Sequence, residues 1–424
     1  MNLPEPLAAV GSHPLESAIV GIFAVVYLGM FLGGLPKLRL DRTGVALLGA
    51  IALIGLGAVS TEEAAASVHL PTLLLLFAFM VVSAQMRLGG FYTAVTRRVA
   101  ALPLSERGLL GALIAIAGGL SAVFSNDIIC LAMTPVVAHI CIEKRLDPIP
   151  FLVGLACAAN IGSAATLIGN PQNMLIGSVL NISFGGYLSR ALPPVALSLL
   201  ALWLWLVFFP RQRSAPPPAT PQGDFLRGAV NPENEPKFDA WQTAKGLLVA
   251  GSLLVIFLFT DLPRDVAALV GAGILLLSRR FHSSEVMGFI DWELLVLFIG
   301  LFVVNHAFQQ TGLASVAVAW LGEHGIRLGD SGPLFVVGVT LSNLVSNVPA
   351  TMLLLPHLSG ERAGITLALV STLAGNLLLV GSIANLIVCD LARKEGITID
   401  WRQHAVIGLP VTLMTLAIVW FWLV

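Results

Sequence analysis

Residues 121–135 read SAVFSNDIICLAMTP, and residues 342–356 read SNLVSNVPATMLLLP. At a shift of 221, Ser121, Ser125, Asn126 and Pro135 face Ser342, Ser346, Asn347 and Pro356. Each stretch sets a polar tip between apolar arms. The first adds an ionisable group, Asp127, where the second has Val348. Further on, ATLIGNPQN (165–173) lies over LLLVGSIAN (377–385) at a shift of 212, so that Gly169 and Asn173 face Gly381 and Asn385. Upstream, Arg42, Val45, Ala46 and Gly49 match Arg264, Ala267, Ala268 and Gly271 loosely at a shift of 222. The order is the same in both halves, so the chain reads as an internal duplication.

The setting of these repeats is a bilayer. Hydrophobic residues make up 57% of the 424 and charged residues only 11%, against about 25% charged in soluble domains. A net charge of −1 carries no signature of nucleic-acid binding. Cys130, Cys141, Cys157 and Cys389 form no CxxC pair, which leaves neither a disulfide framework nor a zinc site to argue for. No cofactor is expected.

A crossing needs about 20 apolar residues. Ten stretches qualify: 17–36, 43–60, 71–88, 150–180, 189–210, 244–260, 264–279, 291–309, 364–390 and 403–424. Two of these, 150–180 and 364–390, are interrupted by Gly, Pro and Asn and read as broken helices. The stretches 107–142 and 331–358 have polar centres and read as helical hairpins whose ends emerge on one side. With both termini outside, this layout puts nineteen of the 23 Lys and Arg on the cytoplasmic side and leaves Arg190, Arg264, Arg327 and Arg362 on the other, as the bias of basic residues toward the cytoplasm demands. Residues 211–243 are the one long polar segment and read as a flexible cytoplasmic linker between repeats at 1–210 and 244–424. Five spans and one hairpin per repeat is an odd number of crossings, so the second repeat enters the membrane inverted. The expected fold is an all-α polytopic membrane protein of two inverted-topology repeats.

Inverted repeats with helices broken at matching places mark secondary transporters that bind near the midplane. The expected site gathers Ser125, Asn126 and Asp127 at the first tip with Ser346, Asn347 and Thr351 at the second. Asn160, Thr166, Gly169, Asn170 and Asn173 join them from the first break, and Asn376, Gly381, Ser382 and Asn385 from the second. Broken helices expose carbonyls that coordinate cations and N–H groups that hold anions. Asn and Ser add neutral donors and acceptors. An acid at membrane depth is expensive and functional by default, so Asp127 is the expected coupling acid, taking up a proton or ligating Na+.

The stretches FSNDIICLAMTP and NIGSAATLIGNPQN resemble the ion transporter superfamily, closest to the branch of arsenite efflux permeases, citrate transporters and the melanosomal P protein. The resemblance spans nearly the whole chain. It implies substrate and coupling ion bound together at the tips and breaks, a homodimer, and a transport domain sliding on a scaffold made of the first three spans of each half. The divalent-anion/sodium symporters of the superfamily carry Ser-Asn-Thr at both tips, where this chain has Ser-Asn-Asp and Ser-Asn-Val. The expectation is a secondary active transporter of the inner membrane. It moves a small oxyanion, oxyacid or organic anion, coupled to H+ or Na+, by alternating access. A Na+/H+ antiporter is the nearest alternative. An intramembrane enzyme finds no HExxH or GxSG motif to support it.

Overall fold

The computed structural model describes residues 14–35, 38–208 and 238–424, and among these all regular structure is helical. The first half contains α1 (Pro14–Leu32), α2 (Arg42–Gly55), a short α3 (Thr61–Ser67), α4 (Leu70–Leu88) and α5 (Phe91–Ala100). The hairpin arms α6 (Glu106–Val123) and α7 (Asn126–Glu143) follow, then the broken pair α8 (Pro148–Ser163) and α9 (Pro171–Val179), then α10 (Phe184–Phe208). The second half repeats this order helix for helix. It runs α11 (Ala240–Phe259), α12 (Arg264–Leu276), α13 (Ser283–Met287), α14 (Trp292–Gln310) and α15 (Leu313–Glu323). Hairpin arms α16 (Ser331–Val345) and α17 (Asn347–Leu354) follow, then the broken pair α18 (Glu361–Ala374) and α19 (Ile383–Lys394), and α20 (Trp401–Leu423).

Packing between the halves is reciprocal. The α2 helix lies against α14, and its counterpart α12 lies against α4. At the first of these contacts Gly300 permits the approach, since a Cβ there would sit 2.8 Å from the carbonyl carbon of Ala46. The starts of α2 and α14 share one face of the protein, where Thr43 Oγ1 donates to Glu293 O at 3.3 Å. The starts of α4 and α12 share the opposite face, around a cavity of about 860 Å³ lined by His69, Pro71, Arg264 and Asp265. Large apolar side chains such as Val25, Leu28 and Phe31 of α1 stand exposed on the outside, as lipid contact requires.

Eight described helices are long and apolar enough to cross a membrane. Two of them are the arms α6 and α7. At 18 residues each they reach about 27 Å, close to the thickness of the hydrocarbon core. The span expected at 43–60 stops earlier: α2 ends at Gly55, Gly57 turns the chain with φ +68°, and Ser60 caps α3. Most of the expected linker 211–243 lies outside the described residues. Its last residues do not belong to a linker, because Asp239 caps α11 by accepting from Trp241 N and Gln242 N at 3.0 and 3.1 Å.

Candidate functional site

Each break is held open by one asparagine. Asn173, at the start of α9, donates through Nδ2 to Thr166 O at 2.9 Å and to Ser163 O at 3.5 Å. Asn385, at the start of α19, donates to Leu378 O at 3.1 Å and to Gly375 O at 2.9 Å. At the shift of 212 these are the same two carbonyls in each half. An unwound segment in the membrane must have its backbone groups satisfied from within the protein, and here a side-chain amide does it twice over. Asn170 caps α9 through Asn173 N at 2.9 Å. Gly169 is dictated by space, since a Cβ there would lie 2.8 Å from Ser121 O and closer still to Ser163. Its own carbonyl accepts from Asn126 N at 3.2 Å, which joins the first break to the first hairpin tip. Thr166 Oγ1 adds a second tie, to Ala122 O. In the second half Gly381 lies in a 3-10 turn, Leu379–Gly381, ahead of α19.

The two breaks bond to each other across the pseudo-twofold. Asn160 accepts from Ser382 Oγ at 3.0 Å and donates to Asn385 Oδ1 at 3.3 Å. Its counterpart Thr372 accepts from Asn170 Nδ2 at 3.2 Å and donates to Asn173 Oδ1 at 3.5 Å. Asn160 is also bonded to Asn126 Nδ2 at 3.0 Å and to Asn376 Oδ1 at 2.9 Å. One amide therefore joins the first hairpin tip, the first break and the second break. Asn126, Asn160, Asn170, Asn173, Asn376, Ser382 and Asn385 are all buried.

Among the described residues, three buried polar atoms at this centre have no partner, Asn126 Oδ1, Asn376 Nδ2 and Asn347 Oδ1, and neither has Thr351 Oγ1 one turn further along α17. Asn347 reaches the centre, for its Nδ2 lies 2.9 Å from where a Cβ on Gly375 would be. Ser121 Oγ and its equivalent Ser342 Oγ are likewise unpartnered. An unsatisfied buried polar atom costs about 1–3 kcal/mol, so a group of them at one place is what a bound polar molecule would relieve.

The hairpin-tip serines do not join the network. Ser125 and Ser346 precede α7 and α17 without a side-chain capping bond, and Ser346 holds the second tip in a positive-φ conformation of 76°. Asp127 stands in the first turn of α7, half-buried. Among the described residues no hydrogen bond or ion pair engages its carboxylate. On the face that carries Asp41 and Asp291, a cavity of about 300 Å³ runs to Val380 and Ile383 at the second break.

Two buried residues outside the polar clusters support the site. Tyr187 of α10 accepts from Asn173 Nδ2 at 3.0 Å and donates to Ala164 O at 2.8 Å. His404 of α20 lies with Nε2 3.2 Å from Asn376 O. Tyr187→Phe should lower stability by about 1 kcal/mol, read as a fall of a few degrees in the thermal midpoint of the detergent-solubilised protein. No change in that midpoint would show that Asn173 is held without Tyr187.

Comparison with known proteins gives the same architecture. The chain is similar to the Alcanivorax borkumensis YdaH transporter, at a TM-score of 0.55 and 14% identity over 98% of this chain and 96% of that one. It is 30% identical to the silicon efflux transporter LSI3 of Oryza sativa subsp. japonica, over 93% of this chain and 95% of that protein. It is 29% identical to the inner membrane protein YbiR of Escherichia coli K12, over 80% of this chain and 84% of that one. The family model described as citrate transporter (CitMHS) matches residues 27–364. The chain, a multi-pass all-α protein with its helices broken at two facing sites, is a membrane transporter and belongs to the citrate transporter family.

Proposed function

We propose that this transporter carries a small oxygen-rich acid, a hydroxy acid of the silicic or arsenous type, by alternating access at the Asn160 centre. The carrying observation is the chemistry of that centre. Its side chains are neutral amides and hydroxyls that both donate and accept, with unpartnered atoms of each kind. The helices α7, α9, α17 and α19 all begin at the tips and breaks, which adds the partial positive charge of four helix N-termini. A compact acid with several hydroxyls fits a lining that offers donors and acceptors together. A tricarboxylate would require cationic side chains to offset its desolvation. The similarity to a silicon efflux transporter supports the same class.

Asp127 is the coupling acid in this reading. It stands beside Asn126 in the first turn of α7, and its role is to carry the proton that moves with or against the substrate. The test is flux in proteoliposomes with an imposed pH gradient, using silicic acid, arsenite and citrate as separate substrates. Gradient-driven flux of silicic acid or arsenite is expected. Flux of citrate alone would replace the reading with an organic-anion one. Asp127→Asn should lose at least tenfold in gradient-driven flux while retaining substrate exchange. Unaltered gradient dependence in that variant would remove Asp127 from the coupling role. Ion-dependent proton flux with no acid added would favour the antiporter instead.

A further inference from the structure

Arg42 and Arg264 open equivalent helices, α2 and α12, on opposite faces of the protein. Each reaches across to the broken helix of the other half, and they do so unequally. Arg264 Nη2 donates to Gly177 O at 3.0 Å, in the last turn of α9, and to Ile182 O at 2.9 Å, just past its end. A cation at a helix C-terminus meets the negative end of its dipole, so this is a well-formed anchor. Among the described residues Arg42 Nη2 bonds only to Val380 O, at 3.4 Å, and its buried Nε has no partner. Val380 is not the counterpart of Gly177 or Ile182. At the shift of 212 it corresponds to Ile168, in the middle of the first break.

We propose that Arg42 and Arg264 are exchange anchors: they hold the broken helices at two different points along their length, and the two points swap when the transporter changes state. The proposal rests on the alternating-access reading above. By the pseudo-twofold, the other state would bring the end of α19 to Arg42, with Cys389 O and Lys394 O in place of Gly177 O and Ile182 O. It would bring Ile168 to Arg264. Ile168 and Gly177 stand nine positions apart across the break and the start of α9, which sets a travel on the order of 10 Å. Exposure agrees with the present register. Val380 is 49% exposed beside the cavity on the Arg42 face, whereas Ile168 is 0% exposed, so the site communicates with the Arg42 face. The end of α19 carries Arg393 and Lys394 together with Asp390 and Glu395, and Arg393 pairs with Asp390, so its charges balance as those at the end of α9 do.

The test reads the register by labelling with a membrane-impermeant maleimide, in the full chain with its four cysteines replaced by alanine. Val380→Cys should label and Ile168→Cys should not. Adding Arg264→Gln, which removes the stronger anchor, should slow Val380→Cys labelling at least threefold and expose Ile168→Cys from the opposite face. Adding Arg42→Gln should move neither rate in that direction. If Ile168→Cys fails to fold, the slowing at exposed Val380→Cys decides alone. Unchanged labelling with Arg264→Gln, or the same shift from both arginine variants, would overturn the exchange. Labelling needs no substrate. A chain that transports yet shows no shift refutes the anchors and leaves the function standing, and a chain that shifts yet moves no oxyacid does the reverse.

Discussion

Asn160→Ala is expected to reduce transport by about two orders of magnitude while leaving a folded, monodisperse protein. Four side chains bond to the Asn160 amide, at 3.0, 2.9, 3.3 and 3.0 Å. Hydrogen bonds between membrane helices average about 0.6 kcal/mol each, so removal of four amounts to roughly 2.5 kcal/mol. At about 1.4 kcal/mol per factor of ten, that becomes a fall of about 60-fold if the bonds hold the centre in its binding geometry. Asn126, Asn376, Ser382 and Asn385 would each lose a partner at the place where substrate is proposed to sit. Initial rates in proteoliposomes, paired with thermal midpoints, check this. A near-normal rate would mean that the centre is a structural tie rather than the binding site. Asn160→Ser, which keeps one donor and one acceptor, should fall between the two.

The largest stability effect is expected at Gly162. It faces Gly118 where α6 crosses α8, and a Cβ on Gly162 would enter the backbone of Gly118. Backbone cannot rotate away, so the hairpin arm would have to lift off the broken helix, with the tie from Asn126 to Asn160 pulled apart beside it. Overpacking of this kind costs about 1–3 kcal/mol and occasionally more. Gly162→Ala should therefore express poorly or lose 10 °C or more in thermal midpoint. Gly118→Ala is the control. A Cβ there meets Leu199 Cδ1 at 2.8 Å, the far end of a flexible side chain, and Ala158 O only at 3.5 Å. Its midpoint should fall by a few degrees. Equal losses from both would show that the crossing tolerates separation.

The repeat was legible because the residues that break helices in a membrane are few and were duplicated in order. Gly169, Asn173, Gly381 and Asn385 stand at equal spacing in the sequence, and the structure gives them equivalent places. The pairing across the twofold was harder to read. Asn160 and Thr372 occupy equivalent positions and make equivalent bonds, yet an amide and a hydroxyl look unrelated as letters. Tyr187 lies just ahead of the span expected at 189–210 and His404 just inside the one expected at 403–424, and only tertiary packing brings them to Asn173 and Asn376. Arg42 and Arg264 carried a misleading signal. Basic residues at span ends are what membrane orientation alone requires, so nothing in the sequence separates an anchor from an ordinary flanking charge. The stop of α2 at Gly55 was missed because residues 56–59 are apolar enough to continue a span, and the turn at Gly57 overrides composition.

The ladder of amides and hydroxyls from Asn126 through Asn160 to Asn385 carries no formal charge. Moving one elementary charge through a membrane voltage does work of about 2.3 kcal/mol per 100 mV; moving this ladder does none. In the proposed cycle, with a neutral cargo, the electric field across the bilayer would act at this centre on Asp127 alone. Voltage dependence of transport that disappears in Asp127→Asn would then report the stroke on which that carboxylate moves ionised.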